Sequence, residues 1–439
     1  MAANRIRFGQ FELDPDGFEL LRAGAKVRLE RIPLQLLILL ASSPGRLVRR
    51  DQVIEAIWGK GSFLEAEAAI NTAMRKLRAV LDDDAKSPRF IETVPTQGYR
   101  FIGIAAHATS DEAKSLYTRG LHFWNRKTPE SYLEAIRLFQ QAIDVDPDYA
   151  LPWLGLAKCW ILLGIHGLQP APDVYPRARA AVARALQLDT SLAEAHAALA
   201  DIVKGYDWDW PAAESHYLHA LRLDPACGVA HQWYANLLSI TGRHDEAIAQ
   251  AVAAREAEPL SVGPAAFVGY TCVRARRFRQ ALQEAESAVT LDPNSPIANW
   301  FLGHALECIG RLPEAVTVYA RAADQARNAP MYVSALARAC SKAGEVQRAR
   351  EILARLTATA AERYVSPLDL AIASLAVGQT DGALDHLDAA CRQRVMRLTE
   401  LPMPTFDAIR AHPRVAAILA AMKLQPEPAA VSRTHRQMA

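Results

Sequence analysis

Apolar side chains recur at Ile70, Met74, Leu77 and Leu81, steps of four, three and four that put them on one helical stripe. The opposite face carries Thr72, Arg75 and Lys76, with Asn71 and Arg78 at its margins. Cations and short polar groups on one helix face suit phosphates and the base edges of a DNA major groove. The same pattern also fits a solvated surface helix. Upstream, residues 32–41 (IPLQLLILLA) form an apolar run closed by Ser42, Ser43, Pro44 and Gly45. Residues 47–58 then space Val53, Ile54, Ile57 and Trp58 for a buried helix face, and Asp51 sits where an anion favours a helix start. Residues 6–8, 11–13, 19–21 and 27–29 read as short strands, separated by the turn residues of DPDG at 14–17 and by Gly24. Residues 88–101 (PRFIETVPTQGYRF) read as a two-stranded hairpin. Three helices followed by a hairpin predict a winged helix-turn-helix, α+β in class.

A second period governs the rest of the chain. Pro225, Pro259 and Pro293 lie 34 residues apart, each after an Ala-rich helical pattern and an acidic residue. Small residues repeat within the units, as in Ala235/Ala247/Ala254, Gly269/Ala281/Ala288 and Gly303/Ala315/Ala322, while Gly242, Gly310, Gly344 and Gly378 mark turns. Small residues let two helices approach closely, and Pro stops the second one. Paired helices with a 34-residue period are the tetratricopeptide pattern. About eight units are expected, at 111–147, 148–189, 190–225, 226–259, 260–293, 294–328, 329–357 and 358–394. The second holds an insertion at roughly 165–176, and residues 401–424 read as a capping helix and edge. The fold expectation is mainly α: a winged helix at 1–106, a linker at 107–110, a right-handed α-solenoid at 111–424 and a disordered tail at 425–439.

Composition narrows the function. Residues 1–106 hold 16 Lys/Arg against 13 Asp/Glu, so any positive field is local, at Arg49, Arg50, Arg75, Lys76, Arg78 and Arg100. The acidic run Asp82, Asp83, Asp84 reads as the exposed end of the basic helix. The six cysteines all lie in the repeats without a CxxC pair, and read as buried reduced thiols. The histidines are scattered, and no nucleophile, phosphate-loop or paired-carboxylate pattern appears, so neither an enzyme nor a metal or other cofactor is expected. No apolar run is long enough to span a bilayer and the first residues are not signal-like, which makes the expected location cytoplasmic, without a membrane partner.

The strands, the PGRLVRRDQVIEAIW helix, the MRKLRAVL helix and the PRFIETVPTQGYRF hairpin together resemble the OmpR/PhoB-type winged-helix DNA-binding domain over residues 4–104. The TVPxxGYR form is most similar to the CadC- and ToxR-like branch, and the repeats resemble the arrays that accompany CadC/HilA-like regulators. The resemblance implies that Thr72, Arg75, Lys76 and Arg78 meet the major groove and that Gly98, Tyr99 and Arg100 lie in the wing. Asn71, Arg49, Arg50, Thr96 and Gln97 join them as candidate DNA contacts. Ala68, Ala73 and the Thr96-Gln97 wing tip depart from relatives that carry basic or hydrogen-bonding groups there, which implies weaker affinity and a shallower salt dependence. Tyr99 is expected to pack the wing on the core, and Trp58 is read as core. The family also implies tandem half-sites with self-association, and contact with RNA polymerase through the loop at 59–64 (GKGSFL), where Phe63 and Leu64 are equally readable as core.

The function expected is a one-component transcription regulator that binds double-stranded promoter DNA and uses its repeats for protein interaction or signal input. The alternative is a repeat scaffold with a weak DNA-tethering domain. An inner groove on the repeats, lined by Gln232, Asn236, Tyr270, Trp300, His304, Glu307, Arg338 and Lys342, is expected to take a peptide or another protomer rather than a small molecule.

Overall fold

The computed structural model describes residues 6–59, 63–103, 106–107, 109–126 and 128–424. These fall into two compact units, Met1–Ser115 with Ala142–Tyr149, and Leu116–Gln141 with Ala150–Ala439. The expected tail at 425–439 lies outside the described residues.

The first unit runs β1 (Ile6–Phe8), β2 (Phe11–Asp14), β3 (Glu19–Arg22), β4 (Ala25–Val27), α1 (Arg31–Ala41), β5 (Leu47–Arg49), α2 (Arg50–Trp58), α3 (Phe63–Leu81), β6 (Ile91–Val94), β7 (Gly98–Phe101) and β8 (Ala106–His107). The first four strands form an antiparallel meander, and β8 pairs with β1. Alternate strand residues Phe8, Phe11, Leu13 and Leu20 point inward, onto a core completed by Leu36, Leu37, Val53, Ile70, Leu77 and Phe101. Phe8 holds it together, with ring centroids 5.1 to 5.5 Å from Phe11, Phe90 and Phe101.

Residues 47–49, expected as the start of a helix, are instead a strand, and the wing is a three-stranded sheet in the order β5-β7-β6. Gly98 is the reason. A Cβ there would overlap the Val48 carbonyl oxygen, so only glycine lets the two backbones pair at Arg49–Gly98. The strand hands directly to α2, whose start is capped by the Gln52 side chain accepting the Arg49 N–H at 2.9 Å.

The remaining helices are α4 (Asp111–Trp124), α5 (Pro129–Val145), α6 (Ala150–Ile165), α7 (Ala171–Leu188), α8 (Ala193–Ile202), α9 (Trp210–Leu223), α10 (Gly228–Ile240), α11 (His244–Ala257), α12 (Val262–Arg274), α13 (Phe278–Leu291), α14 (Pro296–Cys308), α15 (Leu312–Gln325), α16 (Pro330–Lys342), α17 (Val346–Glu362), α18 (Pro367–Ala376), α19 (Thr380–Arg392) and α20 (Pro413–Ala421). From α6 onward they pack as consecutive pairs, and each pair's first helix also packs on the next first helix. Ala235, Ala247, Ala254, Ala281, Ala288, Ala315 and Ala322 are all fully buried at the close approaches. The insertion expected at 165–176 is shorter than that: α7 begins at Ala171 and carries Pro176 inside it, so its proline-rich start is helical.

Gly242, Gly310, Gly344 and Gly378 take positive φ between their paired helices, a geometry that suits a residue without a Cβ. The repeat-equivalent position in the fifth pair is Arg276, at φ 56°. Its guanidinium forms two bonds to the Asp407 carboxylate, at 2.8 and 3.1 Å. An unfavourable backbone conformation is therefore coupled to a clasp on the C-terminal segment.

That segment is more than an edge. Residues 394–424 cross the first helices of the array through short 3₁₀ turns at Met396–Glu400 and Pro404–Ile409, then enter α20. Tyr270 donates to the Met403 sulfur at 3.2 Å, Arg274 to the Thr399 carbonyl at 3.1 Å, and Trp210 to the Met422 carbonyl at 2.9 Å. Leu398, Leu401, Met403 and Phe406 are almost wholly buried among helices of several repeats. Phe406→Ala should therefore destabilise the repeat unit by about 3–5 kcal/mol. Thermal melting of the full chain checks this, and an unchanged melt would mean that the segment contributes no core.

Candidate nucleic-acid interface

Helix α3 is amphipathic in the way its sequence implies: Ile70, Met74, Leu77 and Leu81 are buried, while Asn71, Thr72, Arg75 and Lys76 are exposed. Arg75 and Thr72 have no hydrogen-bonding or ionic partner among the described residues, which leaves both side chains available to a ligand. Lys76 is exposed but occupied, its ammonium 2.6 Å from a carboxylate oxygen of Glu30, the residue before α1. A surface pair of this kind contributes little to stability and exchanges readily for a phosphate.

Two expected members of this face belong to the interior. Arg78 is 7 % exposed, and one of its nitrogens donates at 2.8 Å to both the Ile91 carbonyl and the Thr93 hydroxyl. It therefore faces the wing, not a groove. Ala73 is buried in the core, so its small size is a packing requirement and not a missing DNA contact. Ala68 remains exposed.

The acidic run was also misread as uniformly exposed. Asp82 turns the chain at φ 55°, and the Asp83 N–H closes the helix on the Arg78 carbonyl at 3.0 Å. The fully buried Asp83 carboxylate accepts from the backbone N–H groups of Arg89, Phe90 and Ile91, at 2.6 to 3.1 Å, and lies 3.9 Å from the Arg78 guanidinium. It thus nucleates the start of β6. Its partners are six to eight residues away, beyond any short capping pattern, so the local sequence carries no signal for it. Glu30, 46 residues from Lys76, was missed for the same reason.

In the wing, Tyr99 is 2 % exposed and its hydroxyl donates to the Asn71 side chain at 3.3 Å, tying the hairpin to α3. The Arg50 guanidinium lies 5.4 Å from the Tyr99 ring centroid, and the Arg50 N–H bonds the Gln97 carbonyl at 3.1 Å. Arg49 pairs with Asp51 and Arg100 with Glu92, both pairs partly exposed. The tip is a turn with Pro95 and Thr96 central and the Gln97 N–H bonded to Val94 at 3.1 Å. Thr96 and Gln97 are exposed there, and Thr96 adopts φ 62°, strained for a β-branched residue. Of the loop expected at 59–64, residues 60–62 lie outside the described residues.

The inner face of the repeats is not an open groove. Tyr270, Trp300, His304, Glu307 and Arg338 are buried, because the chain's own segment 394–411 runs over that face. Gln232 and Asn236 are half-buried, the latter accepting from Lys204 at 3.0 Å, and Lys342 is exposed. The buried members of this set face the chain's own covering segment and not an open peptide groove. Arg338 donates to both Glu307 oxygens at 2.9 and 3.0 Å, and Lys342 pairs with the same carboxylate at 2.8 Å. Burial alone would raise the Glu307 pKa, but these cations hold it down at about 2. Burial and the neighbouring Arg338 keep the His304 imidazole neutral, well below its usual range.

Among the described residues, no group of metal-ligating side chains occurs and no helix is long and apolar enough to cross a membrane. Four of the six free cysteines are buried.

Residues 24–101 match the family described as transcriptional regulatory protein, C terminal, and residues 271–330 match the tetratricopeptide repeat. The transcriptional regulatory protein YcbL of Bacillus subtilis (strain 168) is 33% identical over 95 residues, 22% of this chain and 42% of that protein. The transcriptional regulator HilA of Salmonella typhi is 33% identical over 94 residues, 21% of this chain and 16% of that protein. A crystal structure of the Klebsiella pneumoniae RstA DNA-binding domain in complex with the RstA box is 28% identical, covering 22% of this chain and 96% of that one, with a TM-score of 0.21. The chain spans less than half the length of either curated relative.

Arg78→Ala should strip the wing of two hydrogen bonds from a buried cation and lower the stability of the N-terminal unit by about 3 kcal/mol. Chemical denaturation checks it. An unchanged midpoint, with DNA affinity lost, would return Arg78 to the groove.

Proposed function

From an N-terminal domain of the OmpR/PhoB transcriptional-regulator type joined to tetratricopeptide repeats, we propose a regulator that binds promoter DNA and takes its input through the repeats. Residues 1–106 act as the DNA-binding domain, 107–110 as the connector and 111–424 as the input region, in the cytoplasm. The observation that carries the reading is the exposed face of α3 beside the wing tip. Thr72, Arg75 and Lys76 supply direct contacts in the major groove, while Asn71 is held by Tyr99 at the margin. Thr96 and Gln97 approach the minor groove, and Arg49, Arg50 and Arg100 lie on the strands and helix start that flank them.

Sequence is read by base edges and orientation is set by phosphates. Thr72 suits the first task and Lys76 the second, with Arg75 able to serve either. Binding then exchanges the Lys76–Glu30 pair for a phosphate contact, so Glu30 acts as an internal competitor. A second protomer on a tandem half-site and contact of the 59–64 loop with RNA polymerase complete the proposal. The scaffold alternative draws support from the paired state of Arg49, Lys76 and Arg100, since occupied cations weaken a DNA tether.

The test is fluorescence anisotropy on a duplex from upstream of the protein's own gene. Arg75→Ala and Lys76→Ala should each weaken binding at least about fivefold. The double variant should flatten the log affinity against log salt slope by about 2. Glu30→Gln should tighten binding by about two- to fivefold, by removing a surface pair of about 0.5–1 kcal/mol. Wild-type affinity in the double variant, with the fold intact, would sink the α3 assignment and favour the scaffold.

A further inference from the structure

With the inner face covered by residues 394–411, an extended peptide has no open groove there. The covering leaves cavities beside it, one of about 380 Å³ lined by Glu307 and Asp407 and one of about 410 Å³ between α16, α18, α19 and the 3₁₀ turn at Pro404–Ile409. The larger is in the range of small-molecule sites and too small for a folded partner. Its wall has two chemistries. Ile372, Leu375, Ala376 and Ile409 provide an apolar part, while Arg338, Ser341, Lys342, Thr380 and Thr405 provide the polar part. No Asp or Glu lines it.

The charge balance beside it is uneven. Arg338 and Lys342 share one carboxylate, that of Glu307, so two cations face one anion, with Arg338 and Glu307 buried and Lys342 half-exposed. Arg338 spends Nε and Nη2 on Glu307 and Tyr319, and its Nη1 has no hydrogen bond to any described residue. Lys342 is half-exposed and has no other ionic partner among the described residues. A cation in excess of its carboxylate partners draws an anion, and the buried Arg338 guanidinium beside Lys342 strengthens that attraction. Spare donor capacity on Arg338 and Lys342, two cations with a single carboxylate between them, beside an apolar wall describes a receptor for a molecule with one acidic end.

We propose that this cavity binds a small amphipathic carboxylate, its head group held by Arg338 and Lys342 and its apolar part against Ile372, Leu375 and Ile409. The inference rests on the reading of the repeats as the input region and names the class of signal that they take. The Thr405 and Ile409 walls belong to the covering segment, so a ligand here bridges that segment to α16 and α18. Binding stabilises the covered state of the array.

The test uses the full chain and straight-chain carboxylates from acetate to decanoate, with 1-octanol and octylammonium as neutral and cationic controls. Octanoate at about ten times its dissociation constant should raise the melting temperature by about 2–4 °C. Calorimetry should show affinity rising with chain length and at least about a tenfold loss in Lys342→Met, with recovery in Lys342→Arg. Lys342 is half-exposed, so the variant tests the site without removing core. Leu375→Gln should weaken the long carboxylates while leaving acetate unchanged. Equal binding of octanol overturns the anionic head group, and equal binding in Lys342→Met overturns this location. No binding by any carboxylate overturns the proposal itself. Anisotropy on the promoter duplex is read separately: octanoate that binds without altering DNA affinity sustains the cavity assignment and overturns the repeats as input.

Discussion

Arg78 and Asp83 hold α3 and the wing together. The two lie five positions apart across the end of α3, and both side chains are buried. Arg78 reaches sideways to Ile91 and Thr93, and Asp83 gathers three backbone N–H groups at the start of β6. Removing either partner leaves the other's charge or hydrogen bonds unmet in the core, which is more costly than losing a surface contact. Gly98 then lets β7 close on β5, and Tyr99 bonds back to Asn71. Helix and wing tip are thereby fixed in one orientation. These bonds leave Thr72 and Arg75 exposed without partners among the described residues, with Gln97 exposed at the wing tip and Lys76 paired with Glu30.

The repeats follow a parallel logic with a different outcome. Stacked helix pairs bury their faces only against neighbours, so an inner surface remains uncovered unless something fills it. Here the chain fills it with its own residues 394–424. Arg276 keeps a left-handed backbone where its repeat equivalents have glycine, and its side chain clasps Asp407. Arg397 is buried between Asp369 and Glu400, 5.8 Å from the Trp300 ring centroid. Such a network is strong when complete and costly when opened, which argues for a permanent occupant over a displaceable one.

Much of this was legible in the sequence because the signals are periodic. The α3 stripe, the 34-residue spacing, the turn glycines and the close-packed alanines are local patterns, and local patterns survive without coordinates. Arg78 failed because charge was taken for exposure. It lies next to Leu77 and one residue outside the polar face, where a long side chain chooses its direction by the partner it finds. Ala73 failed because alanine looks the same on either face of a helix. β5 was hidden since LVR at 47–49 runs on into a good helix pattern, and its pairing with Gly98 spans about fifty residues. The covered inner face was hidden for the same reason: Met403 and Tyr270 are 133 residues apart. Contacts made between distant segments leave no spacing to read.

In the proposed function the exposed face of α3 and the wing tip meet duplex DNA while the Arg78–Asp83 tie stays closed. Amide hydrogen exchange on the full chain, with and without a duplex from upstream of its own gene, tests it most directly. Exchange should slow over residues 71–76 and 94–97 on adding DNA, and should be already slow and unchanged at Phe90 and Ile91. Protection confined to the repeats, or none in α3, would contradict it.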